Sequence, residues 1–356
     1  MKHWIIALAL GSIATTATAQ TEVLTGVMHG KDYGVTYMLP KTVFEIEIQA
    51  RQIISKPGEF SAYAERYLRT KPVATVQETR WEVSNIKVKS AGIPNPDNTY
   101  FVKLKDKTTA PLMELTEAGV VVSINAPRLA PRSEVPSSQA KPETPSVDPR
   151  MFLTEEMLTA TSNAKLADLV AKEIYNIRES KNALLRGQAD NTPSDGEQLK
   201  LMINNLDRQE KAFTELFLGT QTVKEQTFIV RVAPETDGNR RVAFRFSDRL
   251  GLVEADDLAG APYYLTATDL QRIPPQPEED RKRKATEGIA YNLPGQALVS
   301  LTDGKREWFK AELPVTQLGH VEYLAPVLFN RNSAIKVYFD ENTGALLKIE
   351  REETGK

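Results

Sequence analysis

Alternating apolar and polar residues predict several strands in the N-terminal part of the chain. Between Val43 and Arg51 the even-numbered residues are apolar and those after Val43 at odd numbers are polar, which is typical of a strand buried on one face. Between Phe60 and Leu68 the apolar residues recur at helical spacing, which predicts a short amphipathic helix. A Pro/Asn/Asp cluster at Pro94–Asn98 predicts a turn. Further strands are predicted at Trp81–Val88, Tyr100–Leu104 and Val120–Ile124.

Two longer helices are predicted in the middle of the chain. The first ends before Gly187, and its apolar stripe consists of Leu166, Leu169, Val170, Ile174, Ile177 and Leu184. The second begins at a capping box of Ser194 and Glu197 and ends at Gly219. Its stripe consists of Leu199, Met202, Ile203, Leu206, Phe213, Leu216 and Phe217. Because the connection at Gln188–Pro193 is short, we expect the two helices to be antiparallel neighbours.

Strand patterns return after Gly219. Alternation at Phe228–Val232 and Val242–Phe246, on either side of Pro234–Asn239, predicts a β-hairpin. Four later strands are predicted at Ala297–Leu301, Glu307–Leu313, Ile335–Phe339 and Leu347–Ile349.

Together these patterns predict an α+β protein in which two strand-rich domains flank a long antiparallel helical hairpin. Glu65–Thr70 and Glu215–Thr220 share Glu-x-aromatic-Leu-x-Thr, and a predicted strand follows each, so duplication of the two strand-rich domains is left open. The expected segments are a signal peptide at 1–19, an N-terminal strand-rich domain at 20–126, a Pro-rich linker at 127–150, the helical hairpin at 151–219 and a C-terminal strand-rich domain at 220–356.

The first residues have the three parts of a secretory signal. Lys2 is the charged start, Trp4–Leu10 is the apolar run, and Ala17–Ala19 is the small-residue cleavage box, so we expect cleavage before Gln20. The chain has no Cys, which excludes a lipid-modified N-terminal cysteine. We therefore expect a periplasmic protein with no transmembrane segment after signal removal. Peripheral association with the outer membrane is left open.

Charge and composition exclude several classes of binding and catalytic function. The 45 basic and 47 acidic residues are mixed along the chain, which argues against nucleic-acid binding. Without Cys there is no thiol nucleophile, zinc-thiolate cluster or disulfide. After signal removal His29 and His320 are the remaining histidines, and the sequence contains no HExxH motif, Gly-x-Ser-x-Gly elbow or phosphate-binding Gly-rich loop. We therefore expect no metal site and no cofactor, and we assign no catalytic residue.

Two other functions are left open by the residues. A carboxylate-dependent hydrolase of glycans or peptides needs two acids, and acids are clustered at Glu155–Glu156, Asp256–Asp257 and Glu278–Asp280. A carrier of a small apolar or glycan ligand would use aromatic residues, for which the candidates are Trp81, Trp308, Tyr263 and Tyr264. A calcium loop at Asp190–Glu197 is a weaker interpretation, because a helix stop and a helix cap explain the same residues. The basic run Arg281–Lys284 is interpreted as a solvated loop.

The helical region also carries a family resemblance. Leu166–Ser180 (LADLVAKEIYNIRES), Pro193–Glu197 (PSDGE) and Leu206–Lys211 (LDRQEK) resemble an uncharacterised family of exported Bacteroidota envelope proteins with a domain of unknown function. The resemblance covers nearly all of the mature chain. It implies a Gram-negative envelope setting and carries no catalytic residues.

These observations favour a non-catalytic periplasmic binding or assembly factor that contacts another cell-envelope protein. Whether the protein is an enzyme is left open. The candidate partner contacts are four polar residues in or near the predicted hairpin: Arg178, Glu179, Asp195 and Glu210. Their alternative roles are helix capping and ion pairing between the helices.

Overall fold

A computed structural model describes residues 22–25, 34–103, 113–129, 148–189, 193, 195–274, 288–325 and 335–351. The strands are β1 (Glu22–Thr25), β2 (Gly34–Lys56), β3 (Glu78–Lys103), β4 (Met113–Leu115), β5 (Val121–Ile124), β6 (Thr220–Val232), β7 (Arg241–Ser247), β8 (Gly251–Val253), β9 (Ala261–Asp269), β10 (Ile289–Thr302), β11 (Glu307–Leu324), β12 (Ile335–Phe339) and β13 (Leu346–Arg351). The α-helices are α1 (Ala64–Leu68), α2 (Glu155–Leu158), α3 (Asn163–Leu185) and α4 (Gly196–Leu218). Short 3-10 turns lie at Ser61–Tyr63 and Pro149–Phe152.

The strands form three antiparallel sheets. Sheet 1 has the order β1-β3-β2-β6, sheet 2 the order β11-β10-β9-β7-β8, and sheet 3 the order β13-β12-β5-β4. Strands β2 and β3 have 23 and 26 residues, and they pair with each other along most of their length. In sheet 2, β10 and β11 form the equivalent long pair, with 14 and 18 residues.

The same long strands build two hydrophobic cores. In the first core, Phe44 and Ile46 of β2 pack with Val299 and Leu301 of β10 and with residues of β7 and β9. The second core contains Tyr37 and Leu39 of β2, together with Val102, Ile289 and Val337 from β3, β10 and β12. Each long strand therefore leaves one core and enters the other.

A polar belt of Thr42, Asn292, Thr316 and Gln317 lies between the two cores along these strands. Thr42 is 0% exposed, and its backbone N–H donates to Thr316 Oγ1 at 2.9 Å while the Thr316 N–H donates to Thr42 Oγ1 at 3.0 Å. Gln317 Nε2 donates to the Thr42 carbonyl at 2.8 Å. These bonds join β2 of sheet 1 to β11 of sheet 2.

Asn292 connects the belt to sheet 3. Its buried amide Nδ2 donates to the carbonyls of Pro40 and Thr343, each at 2.8 Å. Thr343 lies in the turn between β12 and β13, and the next residue, Gly344, has a φ of 68°. A Cβ at Gly344 would lie 2.7 Å from Pro40 Cδ, so this turn requires glycine for both its conformation and its close approach to β2.

The helices form a third cluster. Ala167, Val170 and Ile174 of α3 and Phe213 and Phe217 of α4 are buried with Phe60, Leu68 and Met157. Ser162 caps α3 by accepting a hydrogen bond from the Lys165 N–H. Gly187 and Gly219, with φ of 66° and 81°, follow α3 and α4 as predicted from the sequence.

The predicted fold class is wrong. Of the described residues, 50% lie in strands and 23% in helices, and the strands make three antiparallel sheets instead of two domains separated by a hairpin. Strand β6 pairs with β2 from Phe44↔Val232 to Lys56↔Thr220, and β5 pairs with β12. Strands from both expected strand-rich segments therefore share sheets 1 and 3. The boundaries of the expected segments stay a prediction.

The long antiparallel helical hairpin is also corrected. Helices α3 and α4 do not stand apart between two domains, because the apolar stripe of α3 packs with α1, α2 and the segment around Phe60 as well as with α4. The connection at 190–192 and residue 194 lies outside the described residues, and the observed cap of α4 is Asp195. The signal peptide and most of the Pro-rich linker also lie outside them.

Two local predictions fail for related reasons. Pro94–Asn98 lies within the single strand β3 instead of ending it, and the register between β2 and β3 shifts there. The expected hairpin of β6 with β7 does not form, because β6 pairs with β2 and β7 pairs with β8 and β9. In both cases a distant strand determines the pairing.

The structure reveals a repeat at the start of two long strands. Gly34–Pro40 reads GVTYMLP and Gly288–Pro294 reads GIAYNLP, so both segments have Gly-x-x-Tyr-x-Leu-Pro. Each segment leads into a strand with a register shift at the motif's end, between Met38 and Pro40 in β2 and between Leu293 and Gly295 in β10. By this match β2 corresponds to β10 and β3 to β11. The second neighbours of the two strands, β6 and β9, then also correspond.

Replacing Asn292 with Ala tests the polar belt. The change leaves two buried carbonyls without this donor, so we expect the free energy of unfolding to fall by roughly 2–4 kcal/mol in a urea titration. Asn85→Ala, at an exposed position, should change it by less than about 0.5 kcal/mol. Equal effects of the two changes would contradict a stabilising belt.

Candidate binding site beside helices α3 and α4

An ion-pair cluster joins α3 to α4. Arg178 Nε donates to Glu210 Oε1 at 2.6 Å, and Lys181 Nζ donates to Glu210 Oε2 at 2.7 Å. Lys181 Nζ also lies 2.5 Å from Asp207 Oδ1. The two bases are three residues apart on α3 and the two acids three apart on α4, so each pair lies on one helix face. The helix spacing therefore produces a cluster in which cations of one helix face anions of the other.

Hydrogen bonds in the cluster favour the charged forms of Glu210 and Lys181. Partial burial by itself would raise the pKa of Glu210, but the hydrogen bonds from Lys181 and Arg178 outweigh it and lower that pKa below its ordinary value. Hydrogen bonds to Asp207 and Glu210 raise the pKa of Lys181. A lowered carboxyl pKa is the opposite of what a general acid needs near neutral pH. The electrostatics of the cluster thus favour a fixed charge pattern.

A cavity of about 400 Å³ lies beside this cluster. Its wall combines apolar, charged and hydroxyl-bearing residues from α3, α4, the end of α4 and the segment before β3. They are Val73, Arg178, Asp207, Glu210, Lys211, Thr214, Glu215, Leu218 and Gly219. The Val73 backbone N–H donates to the Leu218 carbonyl at 2.8 Å, which holds Val73 against the end of α4.

Val73 and Leu218 form the apolar side of the site. Val73 is 50% exposed at the rim and Leu218 is half-buried. Thr214 Oγ1 makes no hydrogen bond among the described residues, but the atom is fully buried, so a group in the cavity does not reach it. The arrangement suits a group that is partly apolar and carries polar atoms toward the Arg178–Glu210 pair.

The structure brings together two of the four predicted contact residues. Arg178 and Glu210 form one pair and both line the cavity. Glu179 is exposed on α3 and does not line it. Asp195 lies at the other end of α4, where its side chain accepts a hydrogen bond from the Glu197 N–H at 3.0 Å. Capping therefore accounts for Asp195.

Sequence reasoning missed the other residues of the site. Lys181 and Asp207 could have been identified from the sequence, because they lie at helical spacing from Arg178 and Glu210. No sequence pattern identifies Val73 as a site residue, since its contact with Leu218 depends on the tertiary fold. Thr214 lies on a helix among apolar residues, and its missing hydrogen bond is visible only in the structure.

The four aromatic residues suggested for a carrier lie elsewhere in the fold. Tyr263 stacks on Phe244 with ring centroids 4.6 Å apart in the first core, and Trp308 packs on the same core. Trp81 lies beside Phe228, and the Arg240 guanidinium covers the Tyr264 ring at 3.7 Å. None of these four suggested carrier residues lines the cavity beside α3 and α4.

The polar candidates are likewise spread over the fold. His320 Nε2 lies 3.0 Å from Glu322 Oε1 on β11, while His29 lies outside the described residues. Glu155–Glu156 form the first turn of α2, and Asp257 accepts a hydrogen bond from the Ala259 N–H. Glu278–Asp280 and Arg281–Lys284 also lie outside the described residues.

The described residues hold neither a metal-binding cluster nor a membrane-spanning helix. They contain no cluster of three or more His, Asp, Glu or Cys arranged to hold a metal ion. None of the helices in the same residues is long and apolar enough to cross a membrane.

The chain matches a known protein family. The profile of a domain of unknown function, DUF4831, matches residues 33–347. No curated protein and no solved structure matches the chain.

Acid titration of Glu210→Gln tests the ion-pair cluster. Because the pKa of Glu210 is lowered by folding, its contribution to stability is complete above the unfolded-state value near 4.5 and is lost as the pH falls through the folded-state value. We expect the free energy of unfolding of the unmodified protein to fall more steeply than that of the variant between about pH 5 and about pH 3. Glu179→Gln, on the exposed face of α3, should keep the steeper slope. Identical slopes for all three proteins would show that the cluster does not stabilise the fold.

Proposed function

Since the chain belongs to the DUF4831 family, whose function is unknown, we propose that it is a non-catalytic periplasmic binding or assembly factor that contacts another cell-envelope protein. We place the contact at the cavity beside α3 and α4. Peripheral association with the outer membrane is part of this proposal, through the partner.

The cavity that places the exposed Val73 and the half-buried Leu218 beside the Arg178–Glu210 pair is the observation that carries the proposal. A protein loop can supply an apolar side chain to Val73 and Leu218 and polar groups to the charged pair. The charged rim then discriminates among partners, since a wrongly placed charge is unfavourable beside the fixed pairs of Arg178 and Glu210.

The envelope setting is a proposal from the sequence. It is supported by the charged start, apolar run and cleavage box of residues 1–19, while the absence of cysteine excludes a lipid-modified N-terminal cysteine. The resemblance of the α3 and α4 segments to exported Bacteroidota proteins supports the same setting.

A small-ligand carrier is the second candidate. The cavity volume of about 400 Å³ favours it, because small-molecule sites commonly measure about 300–1,000 Å³. Its ligand would bind beside the helices instead of between the sheets. Native mass spectrometry of protein purified from its own cells distinguishes the two candidates, since a carrier would retain a small molecule.

Blocking the cavity with Val73→Arg tests the proposed contact. Crosslinking of tagged protein in its native cells, followed by mass spectrometry, identifies the partner, and the two purified proteins are then titrated by calorimetry. We expect Val73→Arg to weaken binding at least about tenfold, because the new side chain fills the cavity and adds a charge. Val76→Arg is the matched control, since Val76 is 67% exposed on the same segment and does not line the cavity.

Binding that is equally strong in both variants would contradict the placement of the contact. Protein that stays free in the periplasm, with no envelope partner after crosslinking, would contradict the function itself.

Export has its own test. We expect the protein to be recovered from the periplasmic fraction with Gln20 as its first residue, because the small-residue box at Ala17–Ala19 directs cleavage there. N-terminal sequencing of that fraction checks it. Protein recovered only from the cytoplasm with residues 1–19 attached would contradict export.

A further inference from the structure

Strand β6 leaves one edge of sheet 1 open. Its 13 residues pair with β2 along their whole length, and among the described residues no strand pairs with the other edge. The centre of the strand, Val223–Thr227, is exposed at every residue. An open edge of this length offers a row of backbone N–H and C=O groups to another strand.

The repeat in the long strands shows what this edge lacks. Strand β9 corresponds to β6, because each pairs with the long strand that begins with Gly-x-x-Tyr-x-Leu-Pro. The second edge of β9 is covered by β7. Among the described residues, sheet 1 has no strand at the corresponding position, so β6 has the place for one more strand that sheet 2 fills from its own chain.

Two exposed apolar side chains lie on the outer face of β6. Val223 is 44% exposed and Ile229 is 60% exposed, and they lie opposite Ile53 and Glu47 of β2. Both have odd numbers, so they share the face that carries Arg231. They lie symmetrically about Gln226, which is the middle residue of the strand.

We propose that β6 pairs with β6 of a second copy, antiparallel and with the twofold axis at Gln226. In this register Val223 lies opposite the partner's Ile229, and Ile229 lies opposite the partner's Val223. The contact covers both exposed apolar residues at once, and it is isologous, as expected for a closed dimer. The two copies of sheet 1 become one continuous sheet.

Charge selects this register over its neighbours. Moving the axis by one residue to Glu225 places two glutamates opposite each other, and moving it to Lys224 places two lysines opposite each other. Moving it to Thr227 places Val223 opposite Arg231. Arg231 is already bound, since its guanidinium donates to Glu45 Oε2 at 2.9 Å while Lys89 pairs with Glu45 Oε1 at 3.1 Å. The Gln226 axis places no like charges opposite one another.

Single cysteines test the register in a chain that has none of its own. Gln226→Cys lies opposite its own copy, so we expect a disulfide-linked dimer under mild oxidation. Val223→Cys is the matched control, because its own copy is six residues away along the strand, about 20 Å, and it should remain unlinked. A mixture of Val223→Cys and Ile229→Cys proteins should form the mixed dimer.

Sedimentation equilibrium over a concentration series tests the dimer without crosslinks. We expect the unmodified protein to be dimeric and Val223→Lys/Ile229→Lys to have a dissociation constant at least about tenfold higher. Leu347→Lys, at an exposed apolar position on β13, should leave the dimer unchanged. Circular dichroism checks that each variant is folded.

A monomer at all concentrations, together with Gln226→Cys protein that stays unlinked, would overturn the proposal. Capture of a different protein by Gln226→Cys, with no self-linked product, would also overturn it.

Discussion

The hydrogen bonds of the polar belt are the interaction on which the rest of the structure depends. A strand of 23 residues is more than twice as long as most strands in globular proteins, which have about 3–10 residues. Such a strand is too long for a single core, and β2 instead serves two. At the transition its core-facing positions change from odd, at Tyr37 and Leu39, to even, at Phe44 and Ile46. Pro40 lies at the shift. There Thr316 Oγ1 accepts a hydrogen bond from the Thr42 N–H, and the Asn292 amide donates to the Pro40 carbonyl.

This arrangement determines which surfaces are left for contacts. Because β2, β3, β10 and β11 run through both cores, the faces of these strands that line the cores are not available for other contacts. The helices then cover only one part of the molecule, and the cavity lies where α4 ends and β6 begins at Gly219–Thr220. The open edge of β6 starts from the same point. The cavity is lined by no residue of β6, so the cavity and the edge are separate surfaces.

Local patterns predicted the elements better than their pairing. The apolar stripes and terminal glycines of α3 and α4 can be recognised in the sequence because they depend on neighbours within a few residues. Strand β2 was recognised only from Val43, since its alternation changes parity near Pro40 and a periodicity argument stops there. Pairs such as Phe44 with Val232 depend on contacts far apart in sequence, so local patterns did not predict that strands from both segments share a sheet. In the site, the sequence indicated Arg178 and Glu210 as polar residues of the predicted hairpin. The fold alone brings Val73 to Leu218 and leaves Thr214 unpaired.

The central claim is that the two cores form one cooperative unit because the same strands cross both. Native-state hydrogen exchange along a denaturant series measures this directly, by following the amides of β2 at Tyr37–Leu39 and at Phe44–Ile48. We expect both segments to open with the same free energy and the same denaturant dependence, since neither core can unfold without the other. If Tyr37–Leu39 opens at a much lower free energy while Phe44–Ile48 stays protected, the two cores are independent and the account is contradicted.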